Sequence, residues 1–231
     1  FDIPMYYTLK RVFAQGGSMQ LLSEQLQANR NQYDQILLSP LIDNHDVARF
    51  SYWAQDHQAE KIKLALTFTW MLNGMPMLYY GTEAALPGAA PENEQTGEGQ
   101  DYLNRLPMPW SQLKNDHQPM IQRIQTLNTL RQTTPCLQQG EFLEIYKDFG
   151  VYAFVKYDAD DAFLAVLNNS AYAEKRSLPL RGNVIRRGVQ LRDVLSDRHV
   201  YTGDSLQLEL PPFGAHIFKL ETFNRTAAKN L

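Results

Sequence analysis

Gly74-Met-Pro-Met-Leu-Tyr-Tyr-Gly-Thr-Glu83 is an apolar run bracketed by Gly74-Met-Pro76 and Gly81, and it ends on a carboxylate. It reads as an apolar strand with a polar C-terminal end. Just before it, Ala59 to Asn73 carries Ile62, Leu66 and Trp70 at helical spacing, with Leu64, Phe68 and Met71 widening the apolar stripe. Asn73-Gly74 supplies the stop. Further upstream, Tyr33 to Leu38 approaches another strand, and Leu41-Ile-Asp-Asn-His-Asp-Val-Ala-Arg-Phe50 lies where that strand runs out. Strand, helix, strand at this length is a βαβ unit, whose strands lie parallel with their polar ends together.

Working outward, Phe1-Asp-Ile-Pro4 leads into a helix bearing Met5, Leu9, Val12 and Phe13, which Gly16-Gly17 breaks. Ser18 can cap a second helix carrying Leu21, Leu22 and Leu26. After the second strand, Ala84 to Trp110 is irregular and contains four prolines. A connection of that length in a compact domain is usually functional or disordered. A helix then runs from about Asp116 to Gln132, with Pro119 in its first turn, until Thr134-Pro135 ends it. From about Gln139 the period changes to alternation, in Phe142–Tyr146, Val151–Tyr157, Phe163–Leu167, Gln190–Leu195, Leu206–Leu210 and Ala215–Leu220. These runs are separated by turn-forming residues, including Gly182-Asn183, as in an antiparallel sandwich or barrel. The expected organisation is α/β over residues 1–138 and all-β over 139–231.

Asp43, Asn44, His45 and Asp46 cluster at a strand end and offer many acceptors and several donors, the inventory that grips vicinal hydroxyls. Taken alone, Asn-His-Asp reads more readily as a turn whose side chains satisfy their own backbone, and it is the surrounding sequence that favours a site. Composition excludes other classes of partner: the net charge is −3 with no basic run, which argues against nucleic acid. No apolar segment approaches the roughly 20 residues of a membrane span. The single Cys136 rules out an internal disulfide and a thiolate metal cluster, and His57, His117, His199 and His216 show no ligand spacing.

Three motifs in order, Leu41-Ile-Asp-Asn-His-Asp46, Gly74-Met-Pro-Met-Leu-Tyr-Tyr-Gly-Thr-Glu83 and Arg105-Leu-Pro-Met-Pro-Trp110, resemble successive signatures of the α-amylase superfamily, glycoside hydrolase family 13. Gly150-Val-Tyr-Ala-Phe154 and Val166-Leu-Asn-Asn169 extend the likeness into the β region. Neopullulanase- and cyclomaltodextrinase-like members are closest by eye. The resemblance implies the C-terminal part of a (β/α)8 barrel, about its strands 6–8, followed by an antiparallel β-sandwich domain. It implies that Asp46 is the family's third carboxylate, favouring an oxocarbenium-like transition state, with His45 and Asn44 beside it on the sugar. Asp101 and Arg105 resemble the pair that binds glucose on the non-reducing side. The nucleophilic Asp and the acid/base Glu of the family belong to the fourth and fifth strands, which this sequence does not contain. No cofactor is expected here, and calcium, bound by some members, would sit in other parts of the barrel.

Two functions of different class follow. One is a portion of a retaining hydrolase or transglycosylase acting on an α-glucan of starch or maltooligosaccharide type. The other is a non-catalytic carbohydrate-binding or interaction protein on the same fold. An Asp46 left unpaired at the barrel mouth would favour the first, since a scaffold has no need of it. Arg49 is read as an anchor for the long loop, and Tyr79, Tyr80 and Glu83 as barrel packing. Three strands cut from a barrel leave open edges, so the expected macromolecular partner is the N-terminal portion of the same polypeptide or another copy of the chain.

Overall fold

The computed structural model describes residues 1–33, 36–93, 99, 101–112, 117–180 and 184–230, with the side chains of Asp101 and Gln112 excepted. Asp116 and the turn Gly182-Asn183 therefore lie outside the described residues, as do Glu94 and Glu98. Helix α1 (Ile3–Leu9) begins under Asp2, whose Oδ1 accepts from the Met5 amide at 3.1 Å while Oδ2 accepts from Asn29 Nδ2 at 2.7 Å. Pro4 fits this first turn because its missing N–H would have no helical acceptor there. The helix widens into a π-helical turn, Lys10–Ala14, and stops before Gly16, whose φ of +73° only glycine adopts without strain. Helix α2 (Gln20–Gln32) returns antiparallel, with the Ser18 hydroxyl accepting from the Gln20 amide at 3.2 Å.

The two expected parallel strands are present as extended segments without a regular ladder. The Met75 amide donates to Leu38 O at 3.1 Å and the Met77 amide to Pro40 O at 2.9 Å, which is a parallel register. The reciprocal bond to Met75 O is impossible because Pro40 has no N–H, and the Ser39 hydroxyl takes its place at 2.7 Å. Asp2 N donates to Ser39 O at 2.9 Å on the other side, so three extended segments lie side by side. Gly74 is dictated by this approach. A Cβ there would lie 1.8 Å from Leu38 O, and its φ is +92°.

Between the segments come the short α3 (Phe50–Trp53) and α4 (Gln58–Trp70), in which Ile62, Leu64, Leu66, Phe68 and Trp70 are all buried. After a one-turn helix α5 (Asp101–Asn104), helix α6 (Gln118–Thr133) packs on α4, and Trp70 Nε1 donates to Asn128 Oδ1 at 2.7 Å. Arg131, buried at the end of α6, gathers the carbonyls that end α4. Its Nη1 donates to Trp70 O, Leu72 O and Leu137 O at 2.7, 2.9 and 2.5 Å, and its Nη2 to Gly74 O. Burial pulls this guanidinium down to about 10.

The one-turn α7 (Cys136–Gln139) precedes, among the described residues, eight strands: β1 (Glu141–Lys147), β2 (Val151–Tyr157), β3 (Ala162–Asn168), β4 (Glu174–Pro179), β5 (Gln190–Asp193), β6 (His199–Tyr201), β7 (Ser205–Leu210) and β8 (Ala215–Lys219). They form an antiparallel six-stranded sheet in the order β1-β2-β3-β8-β5-β6 and a two-stranded sheet β4-β7. A short helix α8 (Arg225–Lys229) closes the described chain, an element the alternation does not announce. Strands β4 and β6 are also additions to the sequence reading. The run Glu174-Lys-Arg-Ser177 is polar because it covers the outside of the sandwich, and β6 has only three residues. The run expected to reach Leu195 ends at Asp193, whose Oδ1 accepts from the Leu195 amide at 3.1 Å and turns the chain.

Every residue of β2 and β3 is buried, so the central sheet is covered on both faces. Tyr152, Phe154, Phe163 and Ala165 join one apolar cluster with Met5, Leu9, Phe13, Phe68 and Ile124 of the helices. Val151, Ala153, Val155 and Leu164 join a second cluster with Leu178, Leu206 and Leu210 of the small sheet. Helices, central sheet and small sheet thus form three layers.

Candidate functional site

The polar turn after the first extended segment sorts its side chains into two kinds. Asp43 is turned inward and closed off: Oδ2 accepts from the Phe50 amide at 3.0 Å and Oδ1 from Thr82 Oγ1 at 2.8 Å. Burial raises its pKa, opposed by those two hydrogen bonds and by Arg49. Asp43 therefore ties the start of α3 to the turn at Thr82 and leaves the hydroxyl-gripping inventory, a correction to the sequence reading. Asn44 is buried as well, and its Oδ1 accepts from the Asp46 amide at 2.8 Å. The self-satisfied turn is thus real for this amide, which sets the direction of Asp46.

His45 and Asp46 point outward, with about half of each side chain exposed. Asp46 Oδ1 receives His45 Nε2 at 3.1 Å and Arg105 Nη2 at 2.9 Å, and Arg105 Nε donates to His45 O at 3.2 Å. The carboxylate is paired, contrary to the unpaired group expected at the strand end. Both contacts fall on one oxygen, and Oδ2 has no hydrogen bond among the described residues. The structure thus brings together Asn44, His45, Asp46 and Arg105, whereas the side chain of Asp101 lies outside the described residues.

A cavity of about 230 Å³ adjoins this carboxylate, lined by Phe1, Ile3, Tyr6, Tyr7, Asn44, Asp46 and Val47. Its walls are three aromatic and two aliphatic side chains, with one amide and one carboxylate. Such a mixture suits a ligand with apolar ring faces and hydroxyl edges. The Tyr6 hydroxyl is buried at the cavity wall, and burial with the nearby Asp43 keeps it protonated far above the ordinary tyrosine range.

Arg105 reaches Asp46 because its loop is pinned from beneath. Buried Arg49 donates from Nη1 to Tyr80 O at 2.6 Å and from Nη2 to Asn104 O at 3.2 Å, and its guanidinium lies 4.7 Å from the Tyr79 ring centre and 5.0 Å from that of Tyr80. Tyr79 and Tyr80 add hydroxyl donors to Asn104 O and Leu106 O at 3.2 and 2.6 Å. The anchoring role expected of Arg49 is the one found. Three polar groups with no signal in the sequence are Lys156, Arg131 and the buried Asp193–His216 pair. His216 Nδ1 lies 2.8 Å from Asp193 Oδ2 although 23 residues separate them. Only pairing of β5 with β8 brings the two together, so no local spacing could have found them.

Residues 7–149 match the family model "Alpha amylase, catalytic domain". The chain is 30% identical over 224 residues to the beta/alpha-amylase of Paenibacillus polymyxa, covering 94% of this chain and 18% of that protein. It is 32% identical over 151 residues to a cyclomaltodextrinase of a Bacillus species, covering 64% of this chain and 25% of the relative. The crystal structure of the α-amylase from Geobacillus thermoleovorans, complexed with acarbose, superposes with a TM-score of 0.80 at 26% identity, over 95% of this chain and 47% of that one. The chain spans between about a fifth and a half of the length of these relatives. Among the described residues no helix is long and apolar enough to cross a membrane, and no group of three potential ligands is placed to hold a metal ion.

Proposed function

The chain belongs to the α-amylase family, and from that premise we propose that it contributes the transition-state-stabilising carboxylate, Asp46, to a retaining α-glucan hydrolase or transglycosylase. The observation that carries this reading is the half-exposed Asp46 carboxylate, held by His45 and Arg105 on one oxygen at the rim of an aromatic cavity. The substrate would be an α-glucan of starch or maltooligosaccharide type, consistent with the acarbose bound by the Geobacillus relative. The nucleophile and the acid/base, which in retaining enzymes stand about 5–5.5 Å apart, are assigned to the remainder of the polypeptide.

In this reading Oδ2 of Asp46 accepts a sugar hydroxyl, while Oδ1 stays locked by Arg105 and His45. The fixed negative charge favours a glycosyl group as it becomes cationic, an interaction stronger in the transition state than in the ground state. The other nitrogen of the half-exposed His45 ring hydrogen-bonds a neighbouring hydroxyl. The aromatic wall of Tyr6, Tyr7 and Phe1 excludes water and takes a pyranose face. Asn44 orients Asp46, and Asp101 with Arg105 extends the site towards the non-reducing side. The division into a barrel portion, residues 1–138, and a β portion, 139–231, belongs to the same proposal.

Asp46→Asn in the full-length polypeptide tests it. The substitution is nearly isosteric and removes the charge, so kcat should fall by at least about 10³-fold. The lost ion pairs are half exposed and worth about 0–1 kcal/mol, so the melting curve should barely move. Turnover near that of the wild type would sink the role given to Asp46, whereas a full-length wild type with no turnover at all would leave carbohydrate binding without catalysis. Because Arg105 already gives Asp46 a structural partner, the presence of the carboxylate alone does not decide between the two.

A further inference from the structure

A second cavity, of about 210 Å³, lies where α4 and α6 meet the β5 and β8 ends of the central sheet. Glu60, Lys63, Leu64 and Thr67 of α4 line one side, Arg123 of α6 another, and Asp193, Ser196 and the Pro211-Pro-Phe-Gly-Ala-His216 turn the third. None of these groups takes part in the site around Asp46.

Arg123 is partly buried, and burial lowers its pKa, while Asp193 acts on it in the opposite sense through space. Among the described residues no hydrogen bond or ion pair reaches this guanidinium. Asp193 is not its partner, because that carboxylate is already saturated. It faces His216 Nδ1 at 2.8 Å and accepts from Ser196 Oγ at 2.5 Å, the Leu195 amide at 3.1 Å and the Ile217 amide at 3.0 Å. Lys63, one of the residues facing the same space, likewise has no acceptor for its ammonium among the described residues. Of the acidic lining groups, only the exposed Glu60 retains an uncommitted carboxylate. The acceptor that fits a planar, partly buried guanidinium with no partner among the described residues, and a second cation facing the same cavity, is an oxyanion. The cavity has room for one small anion with its water.

We propose that this cavity binds a small oxyanion, a phosphate or a carboxylate, between Arg123 and Lys63. The site is independent of the glucan cleft, since the two cavities share no lining residue.

Isothermal titration of the full-length polypeptide with sodium phosphate, and separately with sodium acetate, tests the proposal against sodium chloride at matched ionic strength. The expected result is saturable binding of at least one of the two anions beyond the chloride baseline, weakened about tenfold or more in Arg123→Gln and by a smaller factor in Lys63→Gln. Phosphate alone or acetate alone would each identify the oxyanion. Binding should persist in Asp46→Asn, which alters only the other cleft. Should Arg123→Gln fail to fold, Lys63→Gln decides, because that position is only partly buried. No binding beyond chloride, unchanged affinity in the folded variants, or loss of binding in Asp46→Asn would each overturn it.

Discussion

Lys156 offers the sharpest test of how the helices and the sheet are joined. Its side chain, 1% exposed in the middle of β2, donates from Nζ to Gly140 O at 2.6 Å and to Asn73 Oδ1. Two acceptors match the two N–H groups of a neutral amine, and burial lowers the Lys156 pKa to about 7. The unfolded chain titrates this group near 10.4. Between these values the unfolded state binds more protons, so stability rises with pH across that window and the contribution vanishes below about pH 7. With one pH unit worth about 1.36 kcal/mol, the gain from pH 7 to pH 9.5 is about 3 kcal/mol. Lys156→Met lacks this titration. It also leaves Asn73 Oδ1 without its donor, while Gly140 O keeps that of Asn73 Nδ2 at 3.1 Å, but that cost is the same at both pH values and cancels in the comparison. Urea unfolding of both proteins at pH 7 and pH 9.5 should show the wild type gaining about 3 kcal/mol more than the variant. Equal pH responses, or an Nζ resonance titrating near 10.4 in the folded wild type, would refute the reasoning.

Further outcomes follow from close contacts and exposed surface. Gly74→Ala must place a Cβ 1.8 Å from Leu38 O at a φ of +92°, so thermal denaturation should show a loss above about 3 kcal/mol or no soluble protein, and a wild-type melting curve would contradict the register assigned here. Arg49→Lys keeps the charge but loses the forked donation to Tyr80 O and Asn104 O, which should cost about 1–3 kcal/mol and speed proteolytic nicking between residues 84 and 104; unchanged cleavage kinetics would remove Arg49 from its anchoring role. The 231-residue chain by itself exposes Phe1 (65%), Ile36 (60%), Leu37 (61%) and Met75 (75%), so it should sediment as an associated species and leave p-nitrophenyl α-glucoside intact; a monomer with sustained turnover would contradict both statements.

Strong periodicity made much of this fold legible. Helix α4 announced itself through Ile62, Leu66 and Trp70, and β2 was bounded correctly at Val151 and Tyr157 because apolar residues run between two turns. Polar β4 and the three-residue β6 were hidden, since neither presents an apolar face long enough to show alternation. The parallel segments were found through their glycines and prolines, yet Pro40 prevents the regular ladder the pattern suggested. At the site, the structure gathers Asn44, His45, Asp46 and Arg105 but orients them differently from the sequence reading. Asp43 and Asn44 turned inward, and the partner of Asp46 came from a loop 59 residues away. Contacts made across such distances leave no trace in local spacing, and the same holds for Asp193 with His216.

The central sheet puts Tyr152, Phe154 and Phe163 into the same apolar cluster as Phe13, Phe68 and Ile124. The β region is consequently poor material for modular exchange between relatives. A chimera joined near residue 139 would import foreign rings against a helical face shaped for these, and overpacking or voids at such a seam typically cost a few kcal/mol. Grafts that carry the matching residues of α1, α4 and α6 together with the strands should be accepted, so recombination is expected to respect the packed face rather than the point where helices give way to strands.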